Sequence, residues 1–302
     1  MKYLLIMNPG SRSGKGKRLW SLLESRLTAA VEYETAITER VGHAVELARN
    51  AKTDVVVAVG GDGTINEVLD GVIQSGNPDL RMGVLYSGTS PDFCKFHGIP
   101  IDPEHAADAL LEGRSCKVDV ARIAHHDAAG AELVAHFGCS CNIGMGAAIA
   151  GFANRWRRRL GDVLGTGTGA LAAIARNARV DLDLVVDGEP MSLKSVNNLT
   201  IAKNPHIASG LKLRLDLTPS DGKLFIVGIF GKSRLGQIGL LPRFYNGSAS
   251  TAPGVLVREC RFIEVTSSQP QRIEFDGDPR GFLPVRIEIL PKALSLIGGA
   301  ND

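Results

Sequence analysis

The feature that most constrains the fold of this chain is a glycine-rich turn between a buried strand and a helix. Residues 55–59 are all apolar, the sequence GGDGT follows at 60–64, and a helical pattern continues over 65–73. Such a turn presents backbone N–H groups and the positive end of a helix dipole, and both favour a phosphate group. A tight turn without a ligand needs only one or two glycines, so three glycines together predict a phosphate site.

Two further glycine-bearing loops follow predicted strands in the same way. Residues 8–17 come after the strand predicted over 3–7, and residues 87–92 come after the strand predicted over 82–86. In a parallel sheet all three loops lie at one edge, beyond the carboxyl ends of the strands, where ligands bind. Three converging loops favour a nucleotide site more strongly than any one of them does.

The spacing of the glycines argues against two other nucleotide motifs. The first loop resembles a Walker A loop, but Gly10 and Gly14 are one residue too close and Gly16 replaces the magnesium-binding hydroxyl. A dinucleotide fingerprint fails at Gly144, because Ile149 stands where the third glycine or alanine is required. We therefore exclude a P-loop NTPase and disfavour dinucleotide binding at Gly144.

The periodicity of the apolar residues changes near residue 115. Before it, predicted strands at 3–7, 31–37, 55–59 and 82–86 alternate with predicted helices at 17–30, 42–51 and 65–73. After it, strands of period two are predicted at 116–123, 132–141, 181–186, 193–201, 224–229, 261–265, 272–275 and 285–289, with helical stretches near 147–178 and 232–241. The first pattern is typical of a parallel α/β sheet, and the second of an antiparallel sandwich or barrel.

We therefore expect two domains of different architecture. The first is an α/β, Rossmann-like nucleotide-binding domain over residues 1–121, and the second is a β-rich, sandwich-like domain over residues 122–290. The tail, residues 291–302, is expected to return to the first domain. A chain of 302 residues is long enough for two such domains with their own cores.

Charge and cysteine content narrow the range of partners and compartments. The chain has 34 Lys and Arg against 32 Asp and Glu, a formal net charge of +2, which argues against a nucleic-acid partner. Five cysteines without disulfide-like spacing indicate a reducing compartment, and Cys139 and Cys141 are interpreted as buried strand residues rather than metal ligands. The longest apolar run, 224–230, is too short to span a bilayer. We therefore expect a cytoplasmic protein.

The glycine loops belong to an ordered set of motifs that resembles the diacylglycerol kinase catalytic-domain family. Within that family the similarity is to the soluble bacterial lipid kinases, relatives of sphingosine and ceramide kinases. The motifs are Asn8-Pro9 with Ser13-Gly14-Lys15, GGDGTINE at 60–67, GTSPDF at 88–93, Ser209-Gly210, TPSDG at 218–222, EFDGD at 274–278 and IEILP at 287–291. They extend over nearly the whole chain. GGDGT alone is shared with NAD kinases and phosphofructokinases, whereas the ordered set is far more specific.

The resemblance implies an ATP- and Mg²⁺-dependent kinase that phosphorylates a hydroxyl of a lipid such as diacylglycerol, with the lipid bound by the second domain. The positions that match nucleotide-binding residues of the family are Asn8, Pro9, Gly14, Thr38, Gly60, Gly61, Asp62, Gly63, Thr64, Ile65, Asn66 and Thr89. The positions that match Mg²⁺ ligands are Asp62, Asp92 and Asp119 for a magnesium and water network, and Thr218, Asp221 and Lys223 for a second, structural ion. In that second site Thr218 and Lys223 act through backbone carbonyls. The positions that match catalytic residues are Asp62, Asp276 and Asp278, and one of the last two serves as general base.

These residue types suit phosphoryl transfer, which depends on positioning and on neutralising phosphate charge. Mg²⁺ prefers carboxylate and water oxygens, and an alcohol acceptor needs a base such as a carboxylate to take its proton. Asp-Gly is also the commonest pair in tight hairpin turns. A purely structural turn therefore stays open at Asp221-Gly222 and at Asp276-Gly277.

Two residues depart from the family pattern. Pro91 stands where the third loop usually has asparagine, and proline supplies neither a side-chain amide nor a backbone N–H. Asp278 replaces the usual glutamate and shortens the reach of that carboxylate. These departures leave open a pseudokinase scaffold that binds nucleotide without transferring phosphate. The shared GGDGT sequence leaves open NAD kinase-like phosphorylation of a soluble nucleotide.

The densest charge cluster of the chain consists of Arg155, Trp156, Arg157, Arg158 and Arg159. Basic residues beside an interfacial tryptophan are typical of a peripheral contact with anionic lipid, so we expect this segment to dock the protein on the inner face of the membrane. A solvated helix face or an internal network of salt bridges would explain the same residues. The oligomeric state is open, and a homodimer is one option.

Overall fold

The part of the chain that the structure, a computed structural model, describes comprises residues 1–9, 30–88, 90–145, 147, 174–175, 178–207 and 211–299. The chain divides into two units. Unit 1 consists of Met1–Val120, Thr218–Asp221 and Leu290–Asp302, and unit 2 of Ala121–Leu217 and Gly222–Ile289. The sequence patterns do not anticipate that 218–221 belongs to unit 1, because a four-residue segment carries no periodicity of its own.

Several predicted features lie outside the described residues. They are the helix at 17–30 up to residue 29, most of the helical stretch at 147–178, and the motif residues at 10–17, 89, 155–159 and 209–210. The predictions made for these segments stay predictions.

Unit 1 contains a parallel sheet with helices in its connections. The strands are β1 (Lys2–Met7), β2 (Glu32–Ile37), β3 (Val55–Gly60) and β4 (Arg81–Tyr86), and the helices are α1 (His43–Arg49), α2 (Asp62–Gln74), α3 (Asp92–His97) and α4 (Pro103–Glu112). The strand order is β2-β1-β3-β4, and each neighbouring pair is parallel. Ser295 and Leu296, near the C-terminus, add a further parallel pairing on the outer side of β4.

The sequence patterns of unit 1 correspond closely to these elements. The four predicted strands and the helices predicted at 42–51 and 65–73 are confirmed. Helices α3 and α4 were not predicted. A start signal for α4 was present, because Asp102 accepts hydrogen bonds from the backbone N–H groups of Glu104 and His105, and Pro103 occupies the first helical turn.

The strand order of unit 1 determines where a ligand is expected. The chain places β2 on one side of β1 and then crosses to place β3 on the other side. The direction in which strands are added to the sheet therefore reverses between β1 and β3. In open α/β sheets this switch point, at the carboxyl ends of the strands, is where ligands bind.

Unit 2 is built from antiparallel strands. The strands that lie wholly or partly in it are β5 (Ser115–His126), β6 (Glu132–Phe137), β7 (Ser140–Gly144), β8 (Val180–Val186), β9 (Glu189–Ala202), β10 (His206–Ile207), β11 (Leu211–Lys212), β12 (Leu224–Phe230), β13 (Val255–Cys260), β14 (Phe262–Thr266), β15 (Arg272–Phe275) and β16 (Asp278–Ile297). Six of them form a closed circuit of antiparallel pairs, β7-β9-β8-β14-β16-β15 and back to β7. The expectation of a β-rich second domain is confirmed.

The core of unit 2 is apolar. Phe137 and Phe275 are fully buried in it, with ring centroids 6.0 Å apart. The helix predicted at 232–241 is confirmed as α5 (Arg234–Tyr245), which a 3-10 turn follows at Ser248–Thr251. Within the described residues, no helix is long and apolar enough to cross a membrane.

Two predictions about the second part of the chain are wrong in detail. The strand predicted over 132–141 is two strands, β6 and β7, because the chain bends at Gly138 and Cys139. Cys139 is therefore half-buried in a bend rather than buried in a strand, and Asn204 Nδ2 lies 3.3 Å from its Sγ and donates to it. Cys141 is buried in β7, as expected.

Helix α1 depends on a side chain of α2 for its N-terminal cap. Its own N-cap residue is Gly42, which has no side chain to accept the unpaired N–H groups of the first turn. The carboxylate of Glu67 supplies the acceptors, because it receives the N–H groups of Gly42 (2.9 Å) and Ala44 (3.2 Å). The glutamate that ends the GGDGTINE motif thus has a structural role.

Replacing Glu67 by alanine should lower the free energy of unfolding by about 1–3 kcal/mol, because two backbone N–H groups lose their acceptor. Glu46→Ala is the matched control, since Glu46 makes an exposed ion pair of 2.7 Å with Arg40 and exposed pairs contribute little to stability. Denaturant unfolding of both variants measures the difference. Equal losses in the two variants would contradict the capping role.

Candidate functional site

The glycine-rich turn of unit 1 is packed too closely for side chains. Gly61 caps α2 with an ordinary negative φ of −91°, so its backbone conformation does not require glycine. A Cβ on Gly60 would lie 2.5 Å from Thr64 Oγ1, and a Cβ on Gly88 would lie 2.7 Å from Gly61 Cα. Contacts between protein atoms therefore require these glycines, a reason that differs from the ligand approach expected from the sequence.

The loops after β1, β3 and β4 meet at one edge of the sheet. Asn8 Nδ2 donates a hydrogen bond to Thr64 Oγ1 (3.1 Å), which joins the first loop to the second across the switch point. Ser87 N–H donates to Gly60 O (2.9 Å), which joins the third loop to the second. The described parts of the three loops thus converge as the strand pattern predicts, while residues 10–17 and 89 lie outside the described residues.

Asp62, the first residue of α2, carries a carboxyl group of unusual basicity. The Tyr86 hydroxyl donates to Asp62 Oδ2 (3.1 Å), and Oδ1 is buried with no hydrogen-bond partner among the described residues. Burial, with the nearby charge of Asp92 as a second cause, raises the pKa of Asp62 to about 7. A cation placed here would favour the ionised carboxylate and so lower the pKa of Asp62.

Asp92 begins α3 immediately after the departure from the family pattern at Pro91. Asp92 is buried, and Ser90 Oγ donates to its Oδ2 (2.8 Å). Pro91 occupies the N-cap position, where its carbonyl accepts the N–H of Lys95 (2.9 Å) and its missing N–H breaks no helical bond. Proline is therefore compatible with the backbone that presents Asp92, although it cannot supply the side-chain amide.

Asn66 lies one helical turn after Asp62, on the same face of α2. Its side chain is 2% exposed, and neither its Oδ1 nor its Nδ2 has a hydrogen-bond partner within the described part of the chain. Buried polar atoms in folded proteins are nearly always hydrogen-bonded. The unpaired atoms of Asp62 and Asn66 thus fit a polar ligand, and the acidic pair Asp62 and Asp92 fits a hydrated Mg²⁺ ion.

Backbone donors are present at the same edge. The first hydrogen bond within α2 runs from Ile65 N–H to Gly61 O (3.0 Å), so the N–H groups of residues 62–64 precede the helical ladder. The side chain of Ile65 is buried in the core, and only its backbone could contact a nucleotide. Helix-start N–H groups of this kind are suited to phosphate oxygens.

For the remaining predicted nucleotide residues, the structure shows mainly their exposure and backbone contacts. Pro9 is exposed after β1, and Gly63 is half-buried on the first turn of α2. Thr38 is half-buried after β2, where its N–H donates to Met7 O (2.9 Å). Gly14 and Thr89 lie outside the described residues.

The predicted magnesium ligands beyond Asp62 and Asp92 are engaged in backbone contacts. The carboxylate of the buried Asp119 accepts the N–H of Lys292 (2.8 Å), and the N–H of Asp119 donates to Pro219 O (2.8 Å). Thr218 N–H donates to Asp221 Oδ2 (2.7 Å), a turn within the TPSDG segment.

Lys223 forms an ion pair of 3.1 Å with Glu259. In the described ranges, no group of three or more His, Cys, Asp or Glu side chains could hold a metal ion. The magnesium sites therefore stay predictions, and a site at Asp62 and Asp92 would draw its other ligands from water or phosphate.

In unit 2, Asp276 holds the bend between β6 and β7. Its carboxylate accepts the N–H groups of Gly138 (2.9 Å), Cys139 (3.0 Å) and Ser140 (2.9 Å). Asp276 and Gly277 both have positive φ (49° and 89°) and form a two-residue hairpin turn from β15 to β16, so the turn interpretation is confirmed. The carboxylate is nevertheless engaged well beyond what a turn requires.

The electrostatics of Asp276 are set by opposing effects. Burial raises the pKa of its carboxyl group to about 6, and the three N–H donors together with the Arg280 charge oppose that rise. Asp276 is therefore ionised at neutral pH and has a pKa close to the range that favours a general base. Its Oδ2 receives a single N–H among the described residues, whereas its Oδ1 receives two.

Asp278 lies in a different environment, two residues further along the chain. Its side chain is 40% exposed, and its Oδ2 is 3.5 Å from the guanidinium of Arg280. Arg280 lies over the Phe275 ring at 5.1 Å, and its Nε is buried without a partner in the part of the chain that the structure describes. The two aspartates thus differ in exposure and in hydrogen bonding.

Glu274 was missed by the sequence analysis. It is 4% exposed and accepts hydrogen bonds from Asn142 Nδ2 (2.8 Å) and Gly277 N–H. Thr200 donates to Asn142 Oδ1 (2.6 Å), which extends the network into β9. Burial raises the pKa of Glu274 to about 8. Its place in the EFDGD motif, two residues before Asp276, was the available signal.

Glu274 should make the stability of the protein depend on pH. Its pKa is about 8 in the fold and 4.5 in a model peptide, so the folded state loses stability as pH rises between these values. Asp276, with a pKa of about 6, adds a similar dependence only at lower pH.

Between pH 6 and 8, Glu274→Gln should therefore gain stability relative to wild type by up to about 1.4 kcal/mol per pH unit. Glutamine keeps an oxygen that can accept from Asn142 or Gly277 but does not titrate. Denaturant unfolding of both proteins at several pH values measures the effect, and parallel stability curves would contradict the raised pKa.

Comparison with family models matches both parts of the chain. The model of the diacylglycerol kinase catalytic domain matches residues 2–123. The model of the YegS C-terminal NAD kinase beta sandwich-like domain matches residues 139–298, more than half of the chain.

Individual relatives agree with these matches. Proteins named diacylglycerol kinase from two strains of Staphylococcus aureus, bovine RF122 / ET3-1 and MRSA252, are each 27% identical over 306 residues, which cover 99% of this chain and 92% of the relative. The crystal structure of a diacylglycerol kinase from Bacillus anthracis str. Sterne is similar with a TM-score of 0.72 at 18% identity, covering 99% of this chain and 97% of that one.

A further solved structure has a related fold at lower similarity. Yeast NADH kinase complexed with NADH has a TM-score of 0.56 at 13% identity, covering 100% of this chain and 84% of that chain. Likeness at these identities concerns the fold alone.

Proposed function

Since the chain belongs to the diacylglycerol kinase family, we propose that it transfers the γ-phosphate of ATP to a hydroxyl group of a lipid acceptor such as diacylglycerol. Membership of the family makes the chain a kinase, a phosphotransferase that acts on an alcohol. The lipid acceptor, the use of Mg²⁺, and the roles of individual residues are the proposed part.

The observation that carries the proposal is the set of unpaired polar atoms at the loop edge of unit 1. The buried Oδ1 of Asp62 and the buried amide of Asn66 fit a bound nucleotide and its cation, and the N–H groups of residues 62–64 fit its phosphates. In this proposal unit 1 is the Rossmann-like nucleotide-binding domain, with Asn8, Pro9 and Thr38 as further contacts.

Asp62 and Asp92 would hold Mg²⁺, with Asp119 acting through water. When bound, the ion would neutralise the phosphate charge that develops during transfer. Thr218, Asp221 and Lys223 keep their proposed role at a second, structural ion.

We assign the general base to Asp276 rather than to Asp278. Three backbone N–H groups fix the Asp276 carboxylate, and its pKa of about 6 keeps it ionised at neutral pH while leaving it able to accept a proton. The proton of the acceptor hydroxyl would go to Oδ2, the oxygen with a single N–H donor. Arg280 would position Asp278 and help to keep Asp276 ionised.

Two other functions make different predictions from the same chain. An NAD kinase-like enzyme would phosphorylate a soluble dinucleotide, and the family model of the second domain and the yeast NADH kinase fold favour testing this. A pseudokinase would bind ATP and transfer nothing. Relatives named diacylglycerol kinase, which this chain matches over 99% of its length, favour the lipid acceptor.

Incubation with γ-labelled ATP and Mg²⁺ should label diacylglycerol or a sphingoid base when lipid and NAD are offered in parallel. Label on NAD alone would favour the NAD kinase-like function. ATP binding without label on any acceptor, including a total lipid extract, would favour the scaffold.

Asp276→Asn should lower kcat at least about 100-fold, since it removes the base. Its melting temperature should also be measured, because asparagine disturbs the three N–H contacts. Asp278→Asn should retain most activity. Independently of any variant, kcat of the wild type should fall as pH drops below about 6, because Asp276 becomes protonated. A profile that is flat down to pH 5 would contradict the assignment.

A further inference from the structure

Helix α5 of unit 2 turns an apolar stripe towards solvent. Leu235 is 81% exposed and Ile238 is 45% exposed, and both lie beside the exposed Gly239 and Pro242. These four residues have the spacing i, i+3, i+4, i+7, which places them on one side of the helix. We refer to Leu235, Ile238, Gly239 and Pro242 as the α5 face.

The opposite side of α5 already supplies the packing that holds the helix in place. Leu240 is 5% exposed and forms a small apolar cluster with Ile229 and Ala252, against which Phe244 also packs. Ser233 Oγ accepts the N–H of Gly236 (3.2 Å) and caps the helix. Among the described residues, the packing of α5 is thus explained by its other side and does not account for the two large exposed apolar side chains of the α5 face.

Positive charge borders the α5 face. The exposed residues Arg234 and Arg243 project about a quarter-turn to either side of it, given 3.6 residues per turn. Residues 231–247 contain Lys232 as a third cation and no acidic residue. Arg179 adds another cation at the start of the helix, where it donates to the carbonyl of Lys232 (3.3 Å).

Arg234 at the start of the helix is unfavourable for the helix itself, whereas Arg243 in its last turn is favourable. A helix N-terminus carries partial positive charge and is stabilised by acidic residues, whereas the first turn of α5 has none and begins with Arg234. An anionic partner would reverse this unfavourable arrangement. The positive charges bordering the α5 face thus favour a negatively charged surface as its binding partner.

The length of α5 determines whether it could span a membrane or lie on its surface. Twelve residues of helix are about 18 Å long, well short of the roughly 30 Å apolar core of a bilayer. A helix of this length with apolar residues on one side and arginines at the borders is suited to lie in the plane of the headgroups.

We infer that the α5 face docks on an anionic lipid bilayer, with Leu235 and Ile238 inserted among the lipids and Arg234 and Arg243 against the headgroup phosphates. This docking surface rests on the proposed function, because a kinase with a lipid acceptor must reach a bilayer. It concerns a surface separate in sequence from the arginine and tryptophan segment at 155–159.

A second copy of the chain fits the α5 face less well. Two large apolar side chains and two small residues bury on the order of 300 Å² per copy, below the roughly 800 Å² per partner of a stable interface. Two facing copies would also bring Arg234 and Arg243 close to like charges. An anionic bilayer needs no large protein interface and brings opposite charges to the two arginines.

The test is co-sedimentation of the full chain with vesicles of phosphatidylglycerol and phosphatidylcholine, with pure phosphatidylcholine as reference. Wild type should bind the anionic vesicles, and binding should weaken with salt. Leu235→Gln with Ile238→Gln, and separately Arg234→Glu with Arg243→Glu, should each reduce binding at least tenfold. All substituted side chains are exposed or border solvent, and melting temperatures verify folding.

Matched controls keep the test specific to this surface. Leu133→Gln removes a large apolar side chain, 44% exposed, from β6. Arg261→Glu reverses an exposed charge immediately after β13, roughly 20 Å along the chain from Val255, which packs beside α5. Both controls should bind vesicles like wild type.

Three results would overturn the inference. They are no binding of wild type to anionic vesicles, equal binding by wild type and the α5 variants, and a change from dimer to monomer in the α5 variants with vesicle binding unchanged. The last would make the α5 face an interface between copies.

Kinase activity on dispersed short-chain diacylglycerol provides the separate readout. The α5 variants should retain it, because this acceptor needs no bilayer. If wild type binds vesicles through α5 but shows no such activity on any lipid, the proposed function fails while the docking surface stands.

Discussion

The close contact between the backbones of two glycine loops is the constraint on which the account of unit 1 depends. A side chain on Gly88 would lie within 2.7 Å of Gly61 Cα, so the loops after β3 and β4 approach only because both residues are glycine. That approach places Asp62 next to Tyr86 and close enough to Asp92 for the two charges to interact. Loop packing and ligand chemistry are therefore two consequences of the same glycines.

The two units use buried carboxylates in different ways. In unit 1 the Asp62 carboxyl keeps one oxygen unpaired among the described residues, which suits a group that binds a cation with its nucleotide. In unit 2 Asp276 is surrounded by three N–H donors, which suits a group that must remain in place while it takes a proton. Glu274, buried beside it with a pKa of about 8, stays neutral and adds no second charge at neutral pH.

The sequence predicted those features that depend on local periodicity. The strand before Gly60 and the turn at Asp276 follow from short patterns, and the resemblance to a kinase family supplied the candidate roles. Contacts made by the tertiary fold were not predictable in this way. The cap that Glu67 provides for α1 joins residues 23 and 25 positions apart, and Asn142, the side-chain partner of Glu274, is 132 residues away from it. Periodicity predicted α5 but could not show that Leu235 is exposed, because the helix is apolar on both sides.

Calorimetric titration of ATP with Mg²⁺ into Gly88→Ala tests whether the glycine loops of unit 1 form the nucleotide site. Gly239→Ala is the control, because a Cβ there meets no atom within 4 Å. Wild type and Gly239→Ala should bind ATP alike, while a folded Gly88→Ala protein should bind at least tenfold more weakly. Equal ATP binding by all three proteins, or none by wild type, would contradict a nucleotide site in these loops.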